Sequence, residues 1–204
     1  MEMAEFCHKR KLEVQSKMEQ TKTKSRSKTL EIVLVGLAAA LMCIAGPLSI
    51  PIPFSPVPIS FTNLAIYIAA FMLEWKLCGL STVVYLLLGT VGLPVFSGFT
   101  GGLSKLAGPT GGYLIGFIFM ALICGFFCHK FDKIYMYVLG MILGLAVAYI
   151  FGTIWFMIQQ GTGLIPSLTM CVIPYLPGDA AKIVIATILG PVLKKQIGKL
   201  TAGK

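Results

Sequence analysis

The stretch IYMYVLGMILGLAVAYIFGTIWFMIQQ, Ile134 to Gln160, contains neither a charged residue nor a proline. A helix rises about 1.5 Å per residue, so about 20 apolar residues cross the ~30 Å hydrocarbon core of a bilayer. This run is long enough to do so, and it places the chain in a membrane. The composition agrees: of 204 residues, 56% are hydrophobic and 12% charged, about half the charged share of a soluble domain. Working outward, apolar runs broken by charge, Gly and Pro predict helices at about Leu30–Ile50, Ile59–Leu73, Leu77–Gly92, Pro109–Cys128, Ile134–Gln160 and Gly178–Ile197. The expected fold is therefore all-α, a polytopic membrane protein with six transmembrane helices in one bundle. Residues 29–204 form it, leaving no room for a second domain.

The net charge of +9 invites a nucleic-acid reading, but its distribution points to topology. Eight of the 17 basic residues fall in residues 1–28, and Lys194, Lys195, Lys199 and Lys204 close the chain. If the N-terminus is cytosolic, the links carrying Lys76, Lys130 and Lys133 and the C-terminus are cytosolic too, whereas the links on the other side hold only Lys105. Fifteen of the 17 basic residues thus lie on one side, which is the positive-inside pattern with both termini cytosolic. Residues 1–28 lack the long apolar core of a secretory signal. They are expected to be a disordered basic segment at the cytosolic lipid surface. The six cysteines are scattered through apolar runs and read as small packing residues. Cys124, Cys128 and His129 are ligand-like, but a closed zinc site needs a fourth partner, so no metal is expected.

The three links on the outer side share a character. PLSIPIPFSPVPI (47–59), GLPVFSGFTGGLSKLAGPTGG (92–112) and the stretch from GTGLIPSL to IPYLPGD (161–179) are rich in Pro and Gly yet apolar and aromatic. Backbone without helical hydrogen bonds persists at membrane depth only when buried in protein or lining a cavity. The links therefore predict an outer pocket, with plain capping loops as the alternative. Within the helices, Gly112-x-x-x-Gly116, Gly140-x-x-x-Gly144-x-x-x-Ala148, Gly36-x-x-x-Ala40 and Ala39-x-x-x-Cys43 would let backbones approach closely.

Against this apolar background stands YLPGDAAKIVIATILGP (175–191), with Asp179 and Lys182 one turn apart at its head. Apart from Glu31 at the very start of the first helix, Asp179 is the sole acid outside the terminal and cytosolic segments, and an ionisable group at membrane depth is costly. Spacing i, i+3 puts the two on one helix face. Two readings stand. One is a mutual salt bridge, with Asp179 at the helix N-terminus, that merely lets the helix enter the membrane. The other is an acceptor–donor pair for a polar ligand group with both N–H and C=O, such as an amide or urea.

Taken together, SIPIPFSPVPIS (49–60), YLLLGTVGLPVFSGFTGG (85–102), GPTGGYLIGF (108–117) and PGDAAK (177–182) resemble the BioY family, the biotin-binding S-component of energy-coupling-factor vitamin transporters. The resemblance runs from about Val35 to Pro191. It implies a six-helix biotin-binding domain over residues 29–204 in the cytoplasmic membrane, with biotin in an outward pocket capped by loops. It implies Asp179 and Lys182 as contacts for the ureido ring, walls from Tyr113, Phe99, Tyr85 and Asn63, and close chain approach at Gly101, Gly102, Gly111 and Gly112. It implies partners as well: membrane lipid, a transmembrane coupling protein and two ABC-type ATPases, with Ala39 and Cys43 facing the coupling protein and the whole bundle toppling in the membrane. The family often has Gln-Thr where this chain has Thr62-Asn63, and Ala where it has Cys43. The chain contains no P-loop and so hydrolyses no ATP itself. No cofactor, enzymatic activity or nucleic-acid binding is expected. A stand-alone biotin carrier and an S-component for another vitamin are the alternatives.

Overall fold

The computed structural model describes residues 28–52 and 55–202. Apart from Lys28, the basic segment 1–28 therefore lies outside the described residues. The chain divides into two compact units, Met1–Leu34 and Val35–Lys204. Of the first, residues 28–34 are described, and they are helical. The second holds everything that follows.

In chain order the elements are α1 (Lys28–Ala45), β1 (Ser49–Ile52), β2 (Ser55–Ser60), α2 (Thr62–Met72), α3 (Trp75–Thr90), α4 (Leu103–Ala107), α5 (Gly111–Lys130), α6 (Ile134–Gln160), α7 (Leu164–Cys171), a 3₁₀ turn (Ile173–Tyr175) and α8 (Leu176–Ala202). The all-α membrane fold is realised. Among the described residues, four helical stretches are long and apolar enough to cross a membrane: Lys28–Ala45, Gly111–Lys130, Ile134–Gln160 and Leu164–Lys199. The helices α2 and α3, 11 and 16 residues long, are shorter than a full crossing requires.

The bundle is built around α5, which packs against α2, α3, α4 and α6. Its small-residue stripes set the closest approach. A Cβ at Gly116 would stand 2.9 Å from the Ala148 Cα, and one at Gly144 would stand 2.8 Å from the Cys124 Sγ. Gly140 lies against Phe127 and Gly152 against Tyr113. These four contacts run along the antiparallel α5–α6 pair and set its register. The outward faces carry Ile142, Leu143, Ile150, Ile154, Ile185, Ile188 and Val192, all exposed, which suits lipid and not water. Polar side chains inside the helices bond to their own backbone: Ser81 and Thr82 donate to the Cys78 carbonyl (2.8 and 3.0 Å), and Thr187 donates to Ile183 (2.7 Å).

The Pro-rich link after α1 departs from expectation. The first helix ends at Ala45 rather than near Ile50, and the link folds back as an antiparallel β1–β2 hairpin pairing Ser49 with Ser60 and Ile50 with Ile59. A residue before proline is pushed toward extended backbone. A two-stranded ribbon is all edge, so prolines without N–H groups are tolerated in it. The other two links hold the short helices α4 and α7, and α8 starts two residues earlier than expected, with Pro177 in its first turn, where the missing N–H costs no helical bond.

At the end of the bundle that carries Lys130 and Lys133, Lys194 of α8 donates to the Cys128 carbonyl (2.7 Å) and to Asp132 Oδ1 (2.7 Å). This ties α8 to the end of α5 and to the α5–α6 turn. Among the described residues, no three His, Cys, Asp or Glu side chains are grouped as a metal would need.

Candidate functional site

All three Pro/Gly-rich links gather at one end of the second unit, and a cavity opens among them. The first link contributes Val57, Pro58 and Ser60; the second, Phe96, Ser97, Lys105 and Thr110; the third, Cys171 and Tyr175. The helices supply Thr62, Asn63, Tyr85, Tyr113, Leu114, Phe117, Leu145, Ala148, Tyr149, Asp179 and Lys182. The space among these residues is about 670 Å³ with the open solvent at its mouth included.

The charged pair lies on its wall, near the start of α8. Asp179 and Lys182 are 3% and 5% exposed, so both charges are withdrawn from water and must be compensated locally. Lys182 Nζ donates to Asp179 Oδ1 at 2.8 Å and to the Ser60 carbonyl at 2.6 Å, and it stands 5.8 Å from the Phe61 ring centroid. Asp179 also accepts from Tyr149 (Oδ2, 2.5 Å) and Asn63 (Oδ1, 3.4 Å). The pair thus joins α8 to α6, α2 and the end of the hairpin.

A carboxylate has about four lone-pair sites and an ammonium three donors. Three of the former accept from Lys182, Tyr149 and Asn63, and two of the latter bond to oxygen. One acceptor site and one donor therefore remain for a ligand bearing N–H beside C=O.

The aromatic walls are held by their own hydroxyls. Tyr113 donates to the Cys171 carbonyl at 3.2 Å, Tyr85 to Val95 at 3.2 Å, and Tyr175 to Val57. Val57, Tyr113, Phe156, Cys171 and Tyr175 form one buried cluster, with Tyr149 packed against it. The wall is therefore rigid and largely apolar.

Of the residues the sequence nominated, Asp179, Lys182, Tyr113, Tyr85 and Asn63 meet in this lining. Phe99, Gly101 and Gly111 are placed outside it. Phe99 is 69% exposed, with left-handed backbone at φ +56°. Gly101 lies against the Leu93 carbonyl, and Gly111 against that of Leu106, where a Cβ would sit 1.7 Å from the oxygen; these two glycines serve chain packing. On α1, Ala39 is buried at 2% exposure and Cys43 is half-buried, whereas Gly36, Leu37, Ala40 and Ile44 face outward. The sequence reading missed Tyr149, Tyr175 and Lys105. Tyr149 shares its apolar helix with the hydroxyls of Tyr135, Tyr137 and Thr153, so its signal in the sequence was only weak.

The chain and its fold have known relatives. The sequence profile of the BioY family matches residues 17–199. The chain belongs to the BioY family. BioY relatives include the biotin transporter BioY of Thermotoga maritima, 32% identical, covering 81% of this chain and 96% of that one. Another is the biotin transporter BioY of Rhizobium etli, 33% identical, covering 79% and 91%. In three dimensions the chain is similar to the crystal structure of the S-component for biotin from an ECF-type ABC transporter. The TM-score is 0.78 at 30% identity, covering 83% of this chain and 93% of that one. BioY membership makes this a membrane transport protein and not an enzyme.

Proposed function

We propose that the chain binds biotin with high affinity and takes it across the cytoplasmic membrane as the substrate-specific S-component of an energy-coupling-factor transporter. The single observation that carries the proposal is the buried Asp179–Lys182 pair on the wall of a cavity lined by all three outer links. Biotin's ureido ring has two N–H donors and one strong carbonyl acceptor. The free acceptor site of Asp179 takes an N–H, and the third Lys182 donor takes the carbonyl. Tyr113, Tyr85 and Asn63 supply the surrounding wall, with Tyr149 fixing the carboxylate.

Biotin transporter relatives and the S-component fold support this reading. Six crossings with both termini cytosolic are supported by the lysine and arginine distribution, with α2 and α3 as short crossings. The partners inferred are a transmembrane coupling protein and two ABC-type ATPases, since the chain carries no nucleotide-binding motif of its own. No cofactor enters the reading, and residues 1–28 are inferred to rest on the cytosolic lipid surface.

Equilibrium titration of the purified full-length chain with biotin tests the proposal, with riboflavin and thiamine as competitors. Saturable binding of biotin that neither competitor displaces is expected. Displacement by another vitamin, or no binding, would sink it. Uptake in a host with and without coupling proteins then separates an S-component from a stand-alone carrier.

A further inference from the structure

The uncharged run that contains α3 outlasts the helix. No charged residue stands between Lys76 and Lys105, yet α3 ends at Thr90. Its 16 residues rise about 24 Å at the helical 1.5 Å per residue, short of the ~30 Å hydrocarbon core. Glu74 and Lys76 are exposed at its start, and charge at depth is costly, so that end belongs at the membrane surface. The shortfall in apolar height therefore lies at the other end, where the link 91–103 begins.

The link satisfies its own polar groups. The N–H groups of Val91, Leu93, Val95, Phe96, Gly98 and Gly102 all donate to carbonyls of the chain. The hydroxyls of Thr90 and Thr100 donate to the Leu87 and Ser97 carbonyls, at 2.8 and 2.9 Å. Irregular backbone needs such internal pairing where no water reaches it. The link is also closed against the end of α3. Gly102 N–H donates to the Gly89 carbonyl at 2.7 Å, and Gly101 lies against the Leu93 carbonyl. Phe96 is fully buried on Gly89 and stands edge-on to Tyr85 at 5.6 Å, and with Ser97 it lines the cavity.

The large side chains that the link leaves exposed are all apolar: Val91, Leu93, Phe99 and Leu103. Val91 continues a stripe already present on α3, since Leu80, Leu87 and Val91, at i, i+7 and i+11, share one helix face and are all exposed. Phe99 carries a further cost. Among the described residues it alone, apart from glycines, has a positive φ, at +56°. Gly, Asn or Asp ordinarily fills that region, and a bulky residue enters it at a cost. In water the exposed ring would add a hydrophobic cost to that strain, whereas burial among acyl chains offsets it.

We propose that the link 91–103 is immersed in the lipid leaflet at the cavity end of the bundle. Val91, Leu93, Phe99 and Leu103 contact acyl chains there, while Phe96 and Ser97 wall the cavity from within. The link supplies the apolar height that α3 lacks, and so relieves a mismatch with the bilayer. Its lipid contact continues that of the α3 stripe without a break. The inference rests on the reading of α3 as a short crossing.

The test adds one tryptophan at a time to the full-length protein in phosphatidylcholine nanodiscs, where both membrane faces meet water. Phe99→Trp and Leu103→Trp report on the link and Leu87→Trp on α3, each read as the emission added to that of Trp75 and Trp155. At both link positions the added emission is expected to be lost more to lipid brominated on its acyl chains than to aqueous acrylamide, as at Leu87→Trp. Leu103 has no left-handed backbone to accommodate, so it decides the matter should Phe99→Trp fail to fold. Greater loss to acrylamide at either link position, or loss to neither quencher, overturns the immersion. It leaves α3 a crossing if Leu87→Trp still follows the lipid. Should Leu87→Trp follow acrylamide as well, the short crossing falls with it.

Discussion

At the scale of the residue, Asp179 is where the cost of a buried charge is concentrated. Its oxygens accept from Lys182, Tyr149 and Asn63, so the desolvation of a buried carboxylate is offset from three elements. Removing one partner of such a pair leaves an unpaired buried charge, at about 3–5 kcal/mol. Lys182→Met should therefore destabilise the protein more than the double replacement Asp179→Leu/Lys182→Met, as read from melting temperatures in detergent, and neither variant should bind biotin. A double variant that still binds biotin would return the pair to a purely structural role. Tyr149→Phe removes the 2.5 Å bond but keeps the ring. We expect it to weaken biotin binding about tenfold, in line with one charge-assisted bond, with little change in melting temperature. Unchanged affinity would mean that the phenol does not position the carboxylate.

At the scale of the element, the α5–α6 pair sets the span of the cavity. Tyr113 on α5 lies against Gly152 on α6, and Gly116 lies against Ala148, one residue before Tyr149. The ridge that lets the helices touch therefore also decides where the aromatic wall and the Asp179 partner stand. Gly144→Leu would drive a side chain into Cys124 and Met120, which do not themselves line the cavity, although the adjacent Leu145 does. Overpacking of this kind costs about 1–3 kcal/mol. We expect a lower melting temperature and, through the displaced wall, weaker biotin binding in the same variant. Gly36→Leu on α1, where nothing lies within 4 Å, serves as the control and should melt like the wild type.

At the scale of the molecule, that same variant probes assembly. In α1 the outward face carries Gly36, Leu37, Ala40 and Ile44, while Ala39 is turned inward. The small residues that α1 leaves exposed to a packing helix are thus Gly36 and Ala40, which we propose meet the coupling protein. Gly36→Leu should reduce biotin uptake in cells that supply the coupling proteins while leaving the purified protein's biotin affinity unchanged. Full uptake by this variant would move the partner surface elsewhere.

Membrane residence, the α6 limits of Ile134 and Gln160 and a charged pair, Asp179 and Lys182, on one face of an apolar helix were all legible in the sequence alone. Each rests on a local rule, namely the length and purity of an apolar run or the cost of charge at depth. The tertiary structure decided what no local rule reaches. A Pro-rich link becomes a hairpin because its two halves find each other. Tyr149 acquires its role from Asp179, 30 residues away, and Ser60 from Lys182, 122 residues away. Ala39 and Gly36 differ in exposure although both sit in small-residue motifs, because a stripe of small residues says that a neighbour comes close and not which face it covers. Lys105 read as one exception to a charge count until folding set it in the wall of a cavity. Burial and partnership are properties of the packed bundle, and no count of charges along the chain contains them.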